Sequence, residues 1–317
     1  MLTEEKLDDI LGTKKFIIII KGVGKMYDLD RAPIGIYEKA LPSSFSWEEK
    51  LMAAKEAGFD YLEISIDETD EKLARLDWST QEREDLKKLI SSTGVMIPSM
   101  CLSGHRRFPF GSKNVDTRKK AFDIMKKAIK LSVDLGIRTI QLAAYDVYYE
   151  EEDETTKALF IEGMEKSIAM ASKAGVMLAL EIMDTKFIST ILRAMPYVTR
   201  FNSPWFKIYP DLGNLSAWSS DVESELELGI THTVAIHVKE TKPGVFKEVP
   251  FGEGIVKFSS IFKKLKQLNY QGPFLIEMWA DNNKVISKEE ATRDIYNARL
   301  FVQRKMIEGG MDNAKRA

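Results

Sequence analysis

From Pro33 onward, short apolar runs alternate with longer stretches in which apolar residues recur at helical spacing. The first run is Ile34-Gly35-Ile36-Tyr37. Further strand-like runs fall at 61–66, 95–101, 138–143, 176–182, 206–209, 233–238 and 274–276. The intervening segments read as helices with definite ends. Ser46 is placed to cap the first, with Glu48 and Glu49 in its opening turn, where the helix dipole favours acids. That helix stops near Gly58. Later helices at 80–92, 116–135, 154–172, 222–228, 256–268 and 288–307 stop near Gly94, Gly136, Gly175, Gly229, Gly272 and Gly309.

The pattern amounts to eight strand–helix units without a linker between them. Apolar strands, each followed by a helix, predict a parallel sheet covered on its outer face. Eight units predict an α/β fold of the (β/α)8 kind, a TIM barrel formed as a single domain over residues 33–310. A doubly wound open sheet would place a glycine-rich phosphate turn after the first strand, and Ile34-Gly35-Ile36-Tyr37-Glu38-Lys39 supplies none. Residues 1–32 read as an N-terminal extension and 311–317 as a C-terminal tail. The extension is expected to be a disordered arm, a helix under the barrel, or the product of an upstream start with Met26 as the true first residue.

Composition narrows the function. The chain has 317 residues, 44% hydrophobic and 30% charged, with a net charge of −2. That balance argues against nucleic acid as a partner, which would call for a basic stripe. An anionic small substrate would need a local basic pocket. A lone cysteine, Cys101, excludes an internal disulfide, and no run is long enough to span a membrane. The Phe16–Ile20 run lacks the small-residue cleavage site of a secretory signal, so the expected location is the cytoplasm. A homodimer is expected from the base rate among soluble oligomers.

The chemistry concentrates at the carboxyl ends of the last four strands. Glu181, Asp211, His237 and Glu277 each follow or end an apolar run. Barrel active sites lie at that end, and neighbouring strands run ~4.8 Å apart. A carboxylate in a dry interior is costly unless paired or bound to metal. Three carboxylates and one imidazole on successive strands suit one divalent ion such as Zn²⁺, Mn²⁺, Co²⁺ or Mg²⁺. The chain has three histidines, His105, His232 and His237, too few for a trinuclear nuclease site.

Several motifs then carry a family resemblance: Ile34-Gly35-Ile36-Tyr37-Glu38-Lys39-Ala40-Leu41-Pro42, Ser103-Gly104-His105-Arg106-Arg107-Phe108-Pro109, Tyr209-Pro210-Asp211-Leu212-Gly213-Asn214, His237-Val238-Lys239-Glu240 and Val249-Pro250-Phe251-Gly252-Glu253-Gly254. In order, over about Pro33 to Gly310, they resemble the L-ribulose-5-phosphate 3-epimerases (L-xylulose-5-phosphate 3-epimerases) among the xylose-isomerase-like barrels. The resemblance implies interconversion of L-xylulose 5-phosphate and L-ribulose 5-phosphate in ascorbate or pentose catabolism, with Glu181, Asp211, His237 and Glu277 as metal ligands. The related free-ketose 3-epimerases carry a histidine three residues after the ligand aspartate. Here that position is Asn214, as in the phosphate-accepting branch.

Epimerisation removes the proton next to a ketone and returns one to the opposite face, through a metal-stabilised enediolate. Glu181 and Glu277 are the expected acid–base pair, since strands five and eight can flank the substrate. His105, Arg106 and Lys239 are expected to meet the phosphate. Glu63 is expected to bond a substrate hydroxyl or orient a neighbour. Tyr145, Tyr148, Tyr149 and Trp279 are candidates for the pocket wall. The same site would also serve an aldose–ketose isomerase of the hexulose-6-phosphate type. A hydrolase acting at abasic DNA is disfavoured by the scarcity of histidines, and a non-catalytic sugar-phosphate sensor by the two glutamates.

Overall fold

The computed structural model describes residues 31–311. Residues 1–30 and 312–317, and the expectations attached to them, lie outside it. The described edges belong to the packed body: Arg31 pairs with Asp60, and Ala32 and Met311 are buried.

Eight parallel strands form one sheet: β1 (Ile34–Tyr37), β2 (Tyr61–Ile66), β3 (Met96–Leu102), β4 (Thr139–Leu142), β5 (Met177–Glu181), β6 (Phe206–Tyr209), β7 (Ile236–Val238) and β8 (Phe274–Ile276). The order β6-β5-β4-β3-β2-β1-β8-β7 closes through parallel bridges from Ile208 to Thr233 and from Asp211 to His237. The result is the expected (β/α)8 barrel. The seventh strand is shorter than its apolar run, because 233–235 touch β6 only at the Thr233 bridge.

Ten α-helices accompany the strands: α1 (Trp47–Glu56), α2 (Asp70–Ala74), α3 (Thr80–Thr93), α4 (Val115–Leu135), α5 (Glu154–Ala174), α6 (Ile191–Phe201), α7 (Leu212–Trp218), α8 (Val222–Gly229), α9 (Phe258–Gln267) and α10 (Lys288–Glu308). Ser46 caps α1 in a reciprocal pair with Glu49, as its sequence predicts. Three helices were not legible in the pattern. α2 is only five residues long, α6 carries Pro196 inside it, and α7 begins Leu-Gly-Asn, which reads as loop. Thr190 caps α6, and Asp211 caps α7 by accepting the Asn214 N–H.

The strands alternate. Ile34, Ile36, Leu62, Ile64, Met100, Ile140, Leu178, Leu180, Ile208, Ile236 and Phe274 belong to the large core shared with the helices. The register sets their neighbours side by side on the other face: Tyr37 beside Glu63, Glu63 beside Ser99, Cys101 beside Gln141, Glu181 beside Tyr209, and His237 beside Leu275. This inner face holds two small apolar clusters, Tyr37–Tyr61–Cys101–Leu275 and Ala179–Tyr209–Ala235. Polar groups occupy the rest. Gly35 is required here, since a β-carbon would lie 2.2 Å from the Tyr61 ring.

Candidate metal centre and active site

Parallel pairing brings the carboxyl ends of β5 to β8 to one level. Glu181 ends β5, and Asp211 stands two residues beyond β6, bridged to His237 of β7. Glu277 follows β8, its N–H bonded to the Val238 carbonyl at 3.0 Å. One ligand atom from each of these four residues lies within 4.8 Å of the others, and all four residues are buried.

His237 organises the group. Its Nδ1 is 2.9 Å from Glu181 Oε1, 3.6 Å from Glu277 Oε2 and 3.8 Å from Asp211 Oδ2. Its Nε2 faces Glu63 Oε1 at 3.4 Å. With the ring charged, Nδ1 donates to Glu181 and Nε2 faces Glu63; loss of the Nδ1 proton would free that lone pair for a cation while Nε2–H stays toward Glu63. Glu63 also accepts a hydrogen bond from the Tyr209 hydroxyl at 3.4 Å. Gln141 donates its amide to Glu181 Oε2.

The two oxygens of Asp211 divide their work. Oδ1 caps α7 by accepting from the Asn214 N–H at 2.8 Å. Oδ2 lies 2.8 Å from the Lys239 ammonium, which is also 3.3 Å from Glu277 Oε2. Apart from that ammonium, neither oxygen has a hydrogen-bond donor among the described residues.

Electrostatics express the crowding. Burial and the nearby Glu277 push the Asp211 carboxyl up to about 6, against the pull of Lys239. Burial and Asp211 raise Glu181, opposed by His237 and Lys239. Burial opposes a charge on His237, yet Glu181, Glu277 and Glu63 hold its pKa well above the usual imidazole value. A buried set of three carboxylates and one imidazole, with two carboxylate oxygens turned inward, fits a divalent cation by donor type and by charge.

The remaining candidates divide. Lys239 is buried at the cluster, its ammonium 5.7 Å from the centre of the Trp279 ring. Asn214 is buried beside it and donates its side-chain amide to the Ile182 carbonyl at 2.9 Å, tying α7 to the end of β5. Arg106 reaches Tyr145 at 3.0 Å and Glu68 at 3.5 Å, and stacks near Tyr148.

His105 is not brought to the cluster. Residues 104–106 form a tight helical turn, which sends successive side chains in different directions. The His105 ring stacks on Phe110, and Nε2 bonds the Ala121 carbonyl of α4 at 3.1 Å. Burial holds its pKa down to about 4, so it stays neutral at neutral pH and is a poor partner for a phosphate. His232 lies away from the cluster, against Lys207.

Three contributors escaped sequence reasoning: Gln141, Tyr209 and Glu240. The one signal that could have found Gln141 and Tyr209 is the alternation of inward positions along β4 and β6, which the register completes. Glu240 is buried and collects the N–H groups of Thr241, Gly252 and Val256, folding the long loop after β7.

Comparison with known proteins supplies the family. A family model described as the xylose isomerase-like TIM barrel matches residues 51–298. The L-ribulose-5-phosphate 3-epimerase UlaE of Escherichia coli O1:K1 / APEC is 52% identical over 282 residues, covering 89% of this chain and 98% of that protein. Two solved structures share the fold at low identity. D-psicose 3-epimerase from Clostridium cellulolyticum H10, solved with D-tagatose, has a TM-score of 0.72 at 17% identity, over 86% of this chain and 99% of that one. An L-ribulose 3-epimerase has a TM-score of 0.69 at 18% identity, over 90% and 99%. The chain therefore belongs to the xylose isomerase-like TIM barrels and, within them, to the family of the L-ribulose-5-phosphate 3-epimerases.

Proposed function

We propose that this protein interconverts L-xylulose 5-phosphate and L-ribulose 5-phosphate by inverting C3. The observation that carries this is the convergence of Glu181, Asp211, His237 and Glu277 at the mouth-facing end of the barrel, in a chain half identical to enzymes of that name.

Glu181, Asp211, His237 and Glu277 would hold one divalent cation, Zn²⁺, Mn²⁺, Co²⁺ or Mg²⁺. When bound, it supplies Lewis acidity at the ketose oxygens next to the reacting carbon. Glu181 and Glu277 move the proton. One takes it from C3, and the other returns one to the opposite face. Their approach from β5 and β8, three strands apart along the wall, suits two-faced access. Burial raises the Glu181 carboxyl, which brings it closer to the pKa a general base needs. Lys239 sits where it can bond a substrate oxygen near the cluster or balance the carboxylates, and Asn214 fixes Asp211 and the end of β5. Of the three phosphate donors first considered, His105 is turned away, and Arg106 and Lys239 remain.

We further propose action as a homodimer in the cytoplasm, in pentose or ascorbate catabolism and without nucleic acid. Among the described residues, no helix is long and apolar enough to cross a membrane. Sedimentation of the purified protein tests the dimer.

The reaction is tested by assaying metal-reconstituted protein against pentulose 5-phosphates. Turnover of L-xylulose 5-phosphate, lost by about a thousand-fold or more in Glu181→Gln and in Glu277→Gln, is the expected result. Full activity in either variant would remove that glutamate from the proton-transfer role.

A further inference from the structure

Each of the four clustered donors has a group behind it. Glu63 faces His237 Nε2 at 3.4 Å, the Asn214 N–H holds Asp211 Oδ1 at 2.8 Å, and the Lys239 ammonium lies 3.3 Å from Glu277 Oε2. Behind Glu181 stands Gln141, whose side-chain amide donates to Oε2. Of the three side chains among these supports, only Gln141 is not ionisable.

The strand pattern puts it there. Gln141 is the third residue of β4, Thr139-Ile140-Gln141-Leu142, and is fully buried. Its neighbours Ile140 and Leu142 enter the core shared with the helices, so Gln141 falls on the inner face. The register sets it beside Cys101 of β3 and Ala179 of β5. Glu181 lies two residues beyond Ala179, on the same face of β5. The Ala179 methyl is short, and the longer Gln141 side chain reaches past it to the carboxylate.

Packing does not account for an amide at this position. Gln141 Oε1 is itself buried with no hydrogen-bond partner among the described residues, a cost that an apolar side chain of the same length would avoid. Glu181 does account for it. Its Oε1 meets His237 Nδ1 at 2.9 Å and its Oε2 meets Gln141, so the carboxylate is held from both sides. Once Nδ1 gives up its proton to take a cation, Gln141 is the one hydrogen-bond donor left to Glu181 among the described residues. An amide fixes the plane of that carboxylate without bringing a positive charge, which would weaken it as a base.

We propose that Gln141 is a positioning residue for the reaction. It anchors Glu181 by Oε2, so that Oε1 stays turned to the cluster and the carboxylate meets the substrate in one orientation. This role rests on the epimerase function given above.

The test replaces Gln141 with Met, which keeps the length of the side chain and removes the donor, and with Leu as a second apolar variant. Wild type, Gln141→Met and Gln141→Leu are compared for Mn²⁺ affinity by chelator competition, for kcat and KM on L-xylulose 5-phosphate at saturating Mn²⁺, and for the melting temperature of the metal-free protein. Mn²⁺ binding and kcat are each expected to fall by about 10- to 100-fold, with KM little changed and the melting temperature equal to or above that of wild type. A residue that only fills space would lose stability and activity together, or neither, and either result would overturn the proposal. Failure of wild type on every pentulose phosphate would remove the epimerase reading, and the Mn²⁺ competition would then decide on Gln141 alone. Equal affinity in wild type and both variants would exclude the role.

Discussion

Among single residues, the metal centre depends most on how His237 is held. Glu63 and His237 are both fully buried, and Glu63 Oε1 and His237 Nε2 face each other at 3.4 Å with no hydrogen bond to any other group among the described residues. Glu63 is therefore the group placed to keep a proton on Nε2 when Nδ1 takes a cation. Glu63→Gln should weaken Mn²⁺ or Zn²⁺ binding by about 10- to 100-fold while the far-UV circular dichroism stays native. Unchanged affinity in a chelator competition would show that Glu63 has no such role. The four donors were legible from sequence because charge is conspicuous in an apolar strand. Their supporters were not, since Gln141 and Tyr209 look ordinary until strand register assigns them to the inner face. His105 misled for a related reason. Its place in a basic loop suggested a ligand, whereas the backbone turn points it at α4.

At the scale of elements, two buried carboxylates tie loops to the barrel. Glu38, directly after β1, accepts from Lys50 at 2.8 Å, Lys72 at 2.8 Å, both terminal nitrogens of Arg75, and the Ser65 N–H. It thereby joins β1, β2, α1 and α2 just below the pocket rim, where the Lys39 carbonyl receives the Ala280 N–H. Burial alone would raise the Glu38 carboxyl, but Arg75, Lys50 and Lys72 carry it well below the ordinary glutamate range. Its folded pKa is thus below its unfolded value of 4.5, so its contribution is complete above that pH and is lost as pH falls. Glu38→Gln should be less stable at neutral pH by about 3–5 kcal/mol, because three cations lose their counter-ion. Its stability should also fall less steeply than wild type on acidification below pH 4.5, as measured by urea unfolding. Parallel curves would show that Glu38 is not the group titrating.

The second carboxylate, Glu240, leaves no room beside Gly254, where a β-carbon would sit 2.2 Å from Glu240 Oε1 and from the Thr241 carbonyl. Gly254→Ala should therefore displace the loop after β7, raising its cleavage by protease while the barrel stays folded. Equal protease resistance would contradict the part given to Glu240. Helix boundaries marked by Gly94, Gly136 and Gly175 were plain in the sequence, and each of these glycines adopts the left-handed conformation expected of it. α6 and α7 were hidden because a proline and a Leu-Gly-Asn start outweigh the local pattern, and their caps at Thr190 and Asp211 act only in the folded chain.

For the whole molecule, barrel closure and the metal centre are one feature. The β6–β7 seam is made of two isolated bridges, and one of them joins Asp211 to His237. A cation shared by those residues would pin the seam. Saturating Mn²⁺ should raise the melting temperature by roughly 4–8 °C at about a hundred-fold excess over Kd, and Asp211→Asn should abolish the shift. No shift in wild type would mean that the four donors do not hold the ion. The overall architecture was legible from eight alternations of strand and helix, because periodicity is a property of the chain. The pocket rim was not, because the loops after β7 and β8, where Lys247 lies over Trp279, meet only once the barrel has closed.

Proton exchange at C3 is read out in deuterated water. Metal-loaded protein is incubated with L-xylulose 5-phosphate and followed by NMR. Deuterium at C3, with L-ribulose 5-phosphate appearing, is the predicted result. Deuterium at C1 would indicate aldose–ketose isomerisation instead, and no exchange into any pentulose phosphate despite bound metal would contradict the epimerase account.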